Sequence, residues 1–414
     1  MGRTRSAVSP AARIAISGLG AVTALGLDAA SLWAAVADGR SGIRPWENIP
    51  TDAITTRLGA EVPGFVPTDH FAERRLAALD RVSQLALVAA REAVVGAKLD
   101  PDAPTGLGDR VAVVIGTGGG GQATQEDAYR RLFAERARRF HPLLVPRAMP
   151  SAAASQVSMD LGARGPSFAV TSACASGTHA IIQGAGLIRA GLADVAIVGG
   201  TEACLTPGVI KSWEALRVLS ADTCRPFSKD RTGLVLAEGA AVLVLESEEH
   251  AARRGVGPRA WLAGCGMTSD AHDLVQPDVD GEVRALRLAL RDAGLAPTSI
   301  DYVNAHGTAT ATNDVVETAA LRQAFGAHAD ALAVSSTKSL HGHALGASGA
   351  IEAVVTVLAM EHALLPPTAG FSEPGDGCDL DYVPNRARAA QIRAAMSSSF
   401  AFGGSNAVLV LTAA

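Results

Sequence analysis

Short apolar runs closed by glycine recur along the whole chain, and they are continuous rather than alternating. The first is Arg13 to Gly20. Others are Val111 to Ile115, Val195 to Val198, Ala240 to Leu245, Tyr302 to Ala305, Leu332 to Ser335 and Ala407 to Leu411. A strand with one wet face alternates polar and apolar residues; a continuous run is covered on both faces. Between the runs, Leu79 to Val95, Gly177 to Ala190, Val283 to Ala293, Asp314 to Phe325 and Ala350 to His362 carry apolar residues at helical spacing. Doubly covered strands that alternate with helices predict an α/β layered protein. The chain has 414 residues, 48% hydrophobic and 19% charged, enough for two packed halves and unlike a disordered chain. Pro258, after Arg253-Arg254-Gly255-Val256-Gly257, marks the expected seam, giving halves of residues 13–257 and 258–414. No internal repeat is legible in the letters.

Aromatic residues make up only 4%, against 43 glycines, so the core is expected to be Ala, Val, Leu and Ile with close backbone approaches at glycine. A net charge of −5 gives no support for nucleic-acid binding. The five cysteines are odd in number and hold no CxxC pair, which argues against a disulfide framework or zinc site and fits a reducing cytoplasm. No apolar run is long enough to span a bilayer. Met1 to Arg13 is basic with no apolar stretch behind it, unlike a secretory signal. Gly2 to Ser6 formally resembles a myristoylation start, but a disordered tail is the plainer reading.

Four segments carry chemistry. In Thr171-Ser172-Ala173-Cys174-Ala175-Ser176-Gly177-Thr178, Cys174 falls between a short apolar strand and a helix start. Helix N–H groups and the macrodipole there favour a thiolate, so Cys174 reads either as an activated nucleophile or as a small buried hydrophobe. Cys204, Cys224, Cys265 and Cys378 lack such a setting and read as inert. Asn304-Ala305-His306-Gly307-Thr308-Ala309-Thr310 delivers His306 from a strand into a Gly/Thr loop. Lys338 to Gly349 places His341 and His343 between a strand and a helix; the HxH pair has no acidic cluster beside it, so no metal is expected. One such histidine reads as structural, but two with a helix-start cysteine point to a shared site. Ser399-Phe400-Ala401-Phe402-Gly403-Gly404-Ser405-Asn406 reads as a bendable loop before the final strand, either an oxyanion site or a simple turn. The loop Gly116 to Gly121 lacks a P-loop lysine and the acidic partner of a dinucleotide site.

Together and in this order, these motifs resemble the β-ketoacyl-acyl-carrier-protein synthase family, nearest the synthase II type. The resemblance runs from about Arg13 to Leu411 and includes Arg225 to Ala241, Gly266 to Asp273 and Gly377 to Asn385. It implies a thiolase fold: two pseudo-symmetric halves in a five-layer α-β-α-β-α arrangement, usually dimeric, with the Cys174 helix buried at the centre. It implies ping-pong chemistry in which Cys174 takes an acyl group from an acyl carrier protein. Malonyl-carrier then loses CO2 at His306 and His343 and attacks the acyl-Cys174 thioester, needing no cofactor or metal. Lys338 would pair with Glu352 and organise the histidines. The N–H groups of Cys174 and Phe402 would bind the oxyanion, with Phe400, Phe402, Gly403 and Gly404 as the gate. Thr308, Thr310 and Ser269 would meet pantetheine, Asp270 would face the gate, and Arg138, Arg139 and Arg217 would touch the carrier, with Arg74 and Arg75 near a further such position.

Two departures stand out. Ala401 replaces the family's usual glycine between the gate aromatics, which stiffens the gate. Gly119 stands where synthase II enzymes carry a bulky aliphatic residue, which predicts a longer or wider acyl pocket. The resemblance leaves open fatty-acid or polyketide elongation, a homodimer or a heterodimer with a ketosynthase-like chain-length factor, and a non-catalytic chain-length factor itself, against which Cys174 argues.

Overall fold

The computed structural model describes residues 13–104 and 106–414. The expectations for the basic tail, Gly2 to Ser6 included, lie outside the described residues apart from Arg13.

Ten strands carry the architecture. The first half holds β1 (Ile14–Thr23), β2 (Val111–Gly116), β3 (Ser167–Val170), β4 (Val195–Glu202) and β5 (Gly239–Ser247). The second holds β6 (Ala260–Ser269), β7 (Tyr302–Asn304), β8 (Ala333–Ser335), β9 (Ala394–Ala401) and β10 (Ser405–Ala413). Their spatial order is β8-β7-β9-β10-β6-β1-β5-β4-β2-β3. Within the large sheet the two halves join through Ile14 to Ile16 of β1, paired with Ala260 to Leu262 of β6. Outward from that join, both halves run first strand, fifth, fourth, second, third. In both, the fifth strand is antiparallel to its two neighbours, and the fourth, second and third are parallel. This is a repeat of topology, and the two pseudo-symmetric halves expected of a thiolase fold are present.

Seven helices matter for the site: α1 (Arg81–Gly96), α2 (Gln122–Phe133), α3 (Ser176–Arg189), α4 (Pro207–Ala215), α5 (Val279–Ala293), α6 (Asn313–Phe325) and α7 (Ser348–Glu361). α1 covers one outer face on β1 and β5, and α5 covers the other on β6 and β10. α3 and α7 lie between the two halves, and each packs on strands of both. α7 is buried from Ser348 to Met360, as a helix in a middle layer must be. The layers are therefore α-β-α-β-α.

Close helix–strand contact is bought with glycine in both halves. A Cβ on Gly18 or Gly20 would lie 2.0 Å from Ala93 O or Ala89 O of α1, and one on Gly264 or Gly266 would lie 2.5 or 2.1 Å from Ala289 O or Ala285 O of α5. These glycines hide β6 from a reading based on apolar runs, because Ala260–Ser269 holds two of them. β9 was also missed: Ser397, Ser398 and Ser399 are fully buried but polar by type, so no apolar run announces the strand.

One buried group works against the fold. Glu282, in the first turn of α5, is fully buried and neither carboxylate oxygen has a hydrogen-bond partner among the described residues. Burial, with Glu317, Asp270 and Asp278 adding repulsion, raises its pKa well above 4.5. Folding therefore takes up a proton here. Native stability should fall as pH rises above the unfolded carboxylate value of about 4.3, by up to about 1.4 kcal/mol per pH unit until the folded value is reached. Glu282→Gln escapes this loss, so its stability advantage should widen between pH 5 and pH 8 in denaturant unfolding. An equal difference at both pH values would show that the carboxyl is not held protonated.

Candidate active site

The turn from β3 into α3 is sharp and pinned. Ala173 takes φ +49°, a left-handed conformation that a non-glycine residue adopts only under constraint. Ser176 supplies that constraint: its Oγ accepts from the Ser172 N–H at 2.9 Å and donates to Ala173 O at 2.6 Å. Ser172 Oγ also meets His179 Nδ1 at 2.7 Å. Cys174 is thereby held, buried, two residues before α3 begins.

His343 occupies the matching place in the second half, between β8 and α7. Its N–H donates to Val235 O at 2.7 Å, its Nδ1 lies 2.8 Å from Ser348 Oγ, and its Nε2 lies 3.1 Å from Cys174 Sγ. His306 enters from the end of β7. The His306 and Gly307 N–H groups both donate to the Glu317 carboxylate of α6 at 2.7 Å. Lys338 Nζ donates to His306 O at 2.6 Å, lies 3.3 Å from His306 Nδ1 and forms a fully buried ion pair with Glu352. An ammonium can only donate, so Nδ1 accepts and the proton sits on His306 Nε2. The two rings stand edge to face, 5.5 Å apart at 84°. Reactive atoms of Cys174, His306 and His343 lie within 4.8 Å of one another. Cysteine and histidine are also metal ligands by type, but the charge of Lys338 beside His306 opposes a dication there. His341 is no part of this group: its Nε2 faces Thr337 Oγ1 at 3.0 Å.

The electrostatics correct one expectation. Burial pushes the Cys174 thiol up to about 12, although Lys338 draws it down. A rise from 9.0 to about 12 corresponds to about 4 kcal/mol, against at most ~2 kcal/mol from a helix terminus. The resting residue is a thiol, not the thiolate its helix-start position suggested. Burial, then Lys338, hold His306 and His343 well below 6.5, so both imidazoles are neutral. Burial pushes Glu352 up to about 7 against the pull of Lys338, and Glu317 up to about 7 against the Gly307 and His306 N–H groups.

A cavity of about 340 Å³ leads to these groups, lined by Cys174, His306, His343, Thr308, Thr310, Phe400, Phe402 and Gly404, with Arg217 also on its wall. Thr308 and Thr310 hydroxyls are 2.9 Å apart. Phe402 stacks on Trp213 of α4 at 5.9 Å, and Phe400 lies edge-on to His306 at 6.3 Å. Gly403 and Gly404 take φ +81° and +68°. Gly403 N–H donates to Leu274 O, and Asp270 N–H donates to Gly404 O, at 2.7 and 2.9 Å, tying the gate to the facing loop.

Not every expected residue gathers here. Ser269 pairs with Ser405 in the sheet and does not line the cavity; Asp270 beside it does. Arg138 and Arg139, expected at the carrier-contacting surface rather than in the cavity, are exposed beyond the end of α2. Gly119 does not line it either, and the space beside it is not empty: a Cβ there would lie 2.8 Å from Gln122 Cγ. Conversely, Glu202 was missed. It is fully buried and accepts from the N–H groups of Gly118, Gly119 and Gly346 at 2.6, 3.1 and 3.0 Å. It thus fastens the glycine loop of the first half to the His343 segment of the second. Glu317 and Trp213 were missed too. A charged residue inside an apolar helix or at a strand end was the available signal for the two acids.

Two tests follow from this geometry. Iodoacetamide labelling of Cys174, read by intact mass with Cys174→Ala as control, should speed up about tenfold per pH unit from pH 6 to 10; a plateau near pH 8 would mean a thiolate is already present. Lys338→Met strands Glu352 and should cost about 3–5 kcal/mol of stability, most of it recovered by adding Glu352→Gln. A double variant no more stable than Lys338→Met would show that the pair does not hold the site together.

The beta-ketoacyl synthase N-terminal domain matches residues 11–251, and the C-terminal domain matches residues 259–372. Nodulation protein E of Rhizobium sp. (strain N33) is 48% identical over 397 residues, 96% of this chain and 98% of that protein. 3-Oxoacyl-[acyl-carrier-protein] synthase 2 of Staphylococcus aureus (strain COL) is 42% identical over 405 residues, 96% of this chain and 97% of that one. Among solved structures, a beta-ketoacyl synthase from Burkholderia phymatum STM815 gives a TM-score of 0.90 at 34% identity, covering 97% of this chain and 100% of that one. The ishigamide ketosynthase/chain length factor gives 0.93 at 34% identity, covering 97% and 99%. With its cysteine and two histidines gathered where the two halves meet, the chain belongs to the beta-ketoacyl synthase family.

Proposed function

We propose that this protein is a ketosynthase acting on carrier-bound thioesters: it condenses an acyl group held on Cys174 with malonyl-acyl-carrier-protein, giving 3-oxoacyl-carrier and CO2. The observation that carries this reading is the 3.1 Å approach of Cys174 Sγ to His343 Nε2, with His306 beside them. In the first half-reaction the sulfur attacks the acyl thioester, its proton passes to His343 Nε2 and on to the departing pantetheine thiolate. The N–H groups of Cys174 and Phe402 hold the oxyanion. In the second, the malonyl thioester oxygen faces the N–H of His306 and the His343 ring. The C–CO2 bond breaks and its electrons pass to that oxygen as an enolate. The carbon then attacks the acyl-Cys174 carbonyl, and Sγ leaves as a thiolate and takes one proton from water, the proton that the overall condensation consumes. A neutral His306 suits this task, because its Nε2–H donates a hydrogen bond to the enolate without a prior proton transfer. Loss of CO2 makes the carbanion, so neither metal nor redox cofactor enters.

Thr308 and Thr310 would contact pantetheine within the 340 Å³ cavity, and Arg217 on its wall would meet the acidic carrier. The assembly is read as a dimer. β3 is paired on one side only, and Tyr129, Phe133, Val145, Met159 and Phe168 are large apolar side chains left exposed. The second copy is either this chain or a ketosynthase-like chain-length factor, the assembly named for the ishigamide relative. A chain-length-factor role for this chain itself is disfavoured by the intact Cys174, His306 and His343. Both fatty-acid and polyketide elongation fit the chemistry. The halves divide at Gly257/Pro258, between the helix Glu248–Arg254 and β6. No described helix is long and apolar enough to cross a membrane, and the cytoplasm is the expected site of action.

The test is direct. Purified protein given acyl-carrier and labelled malonyl-carrier should release CO2 and form 3-oxoacyl-carrier. Cys174→Ala should form no condensation product, and His306→Ala should slow CO2 release by about 10²–10³-fold. Condensation that survives in Cys174→Ala would end this reading.

A further inference from the structure

The loop that faces the gate runs from Asp270, just past β6, to Asp278, which caps α5. Ala271 to Gln276 are exposed, and Val275, Gln276 and Pro277 line the entrance cavity. The two ends of the loop are fastened together: the Asp278 N–H donates to Asp270 Oδ2 at 3.1 Å. Asp270 Oδ1 accepts from Asn406 Nδ2 of β10 at 2.6 Å, and Thr268 Oγ1 donates to Gly281 O of α5 at 2.8 Å. A Cβ on Gly281 would lie 1.8 Å from Asp270 Oδ1, so the base of the loop packs tightly on the first turn of α5.

Glu282 stands against this base, and the condensation gives it no task. Its carboxyl is fully buried with no hydrogen-bond partner among the described residues. The charges that face it are Asp270 and Asp278, the two ends of the loop, and Glu317 of α6; no cation among the described residues offsets them. Glu317 spends its oxygens on the His306 and Gly307 N–H groups. Asp280 and Arg284, on the same helix, are exposed, and Arg284 donates to Ser269 O. A carboxylate held away from water with no donor is strongly disfavoured, so Glu282 is uncharged while the loop is down. Ionised, it would set a third negative charge against the two aspartates that close the loop. Parting the base admits water to Glu282 and separates those charges.

Deepening the ketosynthase reading, on which its purpose rests, we propose that uncharged Glu282 is a positioning residue that holds the gate-facing loop over the tunnel mouth, and that the loop gives up the Glu282 proton to water when it lifts to admit a carrier-bound substrate. The closed loop keeps the proton and the lifted loop loses it. Each pH unit above the free carboxylate value of about 4.3 therefore multiplies the open-to-closed ratio by up to about ten, until the carboxyl ionises with the loop still down.

Hydrogen exchange, followed by mass spectrometry and corrected for the intrinsic rate at each pH, tests this. In segment 270–278 the Val275, Gln276 and Asp278 N–H groups all have acceptors within the loop. Between pH 6 and pH 8 their protection should fall more steeply in the native chain than in Glu282→Gln or Glu282→Met, by up to about tenfold per pH unit, because the variants have no proton to lose. His272, exposed on the loop, is common to all three and cancels in the comparison. Segment 348–360 of α7 should keep its protection throughout, since the loop and not the fold is released. Acyl transfer to Cys174 from an acyl-carrier should follow: the native rate divided by the Glu282→Gln rate should rise over the same interval, the chemistry of Cys174 cancelling in the ratio. Loop protection with one pH dependence in native and neutral variants, a loss of protection shared by α7, or a constant rate ratio overturns the proposal. The exchange measurement needs no substrate, so native enzyme that fails to release CO2 from malonyl-carrier would sink the ketosynthase reading alone.

Discussion

The site depends on how closely two helices approach each other between the sheets. α3 and α7 belong to different halves, and each brings the loop before its first turn to the same place. A Cβ on Gly349 would lie 2.0 Å from Thr178 Oγ1, and one on Gly177 would lie 2.9 Å from Gly346 O. With side chains there, the helices would stand apart and Cys174 Sγ would not lie 3.1 Å from His343 Nε2. The abundance of glycine and the scarcity of aromatic residues thus have a cause in the middle layer, where backbone must meet backbone.

The repeat of topology explains where the reactive groups come from. Cys174 follows the third strand of the first half and His343 the third strand of the second. His306 follows the second strand of its half, in the place where the Gly116–Gly121 loop stands in the other. The same positions bear different chemistry: nucleophile and glycine loop on one side, two imidazoles on the other. Buried acids fix each loop from below through backbone N–H groups, Glu202 in the first half and Glu317 in the second. The division of labour is therefore a matter of side chains placed on one repeated backbone.

Much of this was legible in the letters. Cys174, His306, His343 and Lys338 stand in motifs whose residue types sit at strand ends, and local turn chemistry marks such places. The layered class followed from continuous apolar runs. The internal repeat escaped because it lies in backbone contacts: Gly18 and Gly20 on α1 correspond to Gly264 and Gly266 on α5, two glycines per strand in segments otherwise unlike. β9 escaped because three buried serines look wet in sequence. Gly119 misled for a related reason. An absent side chain says nothing about which neighbour fills the room, and Gln122, three residues on, fills it.

The neutrality of the resting site is the feature that sequence position least foretold. A helix start and a nearby lysine both argue for a thiolate, yet burial outweighs them and leaves a thiol between neutral rings. Such a site holds no free charge to meet water or stray electrophiles. Lys338 is already committed to Glu352 and to His306 O, so its charge shapes the field without offering a proton. The charge that drives the reaction arrives with the substrate, as the malonyl carboxylate. The carboxylate leaves as neutral CO2, and its negative charge, now on the enolate, meets N–H groups already in place. Burial that would cripple an ordinary nucleophile is what lets a few fixed dipoles stabilise that enolate, since their field is strongest where water is excluded.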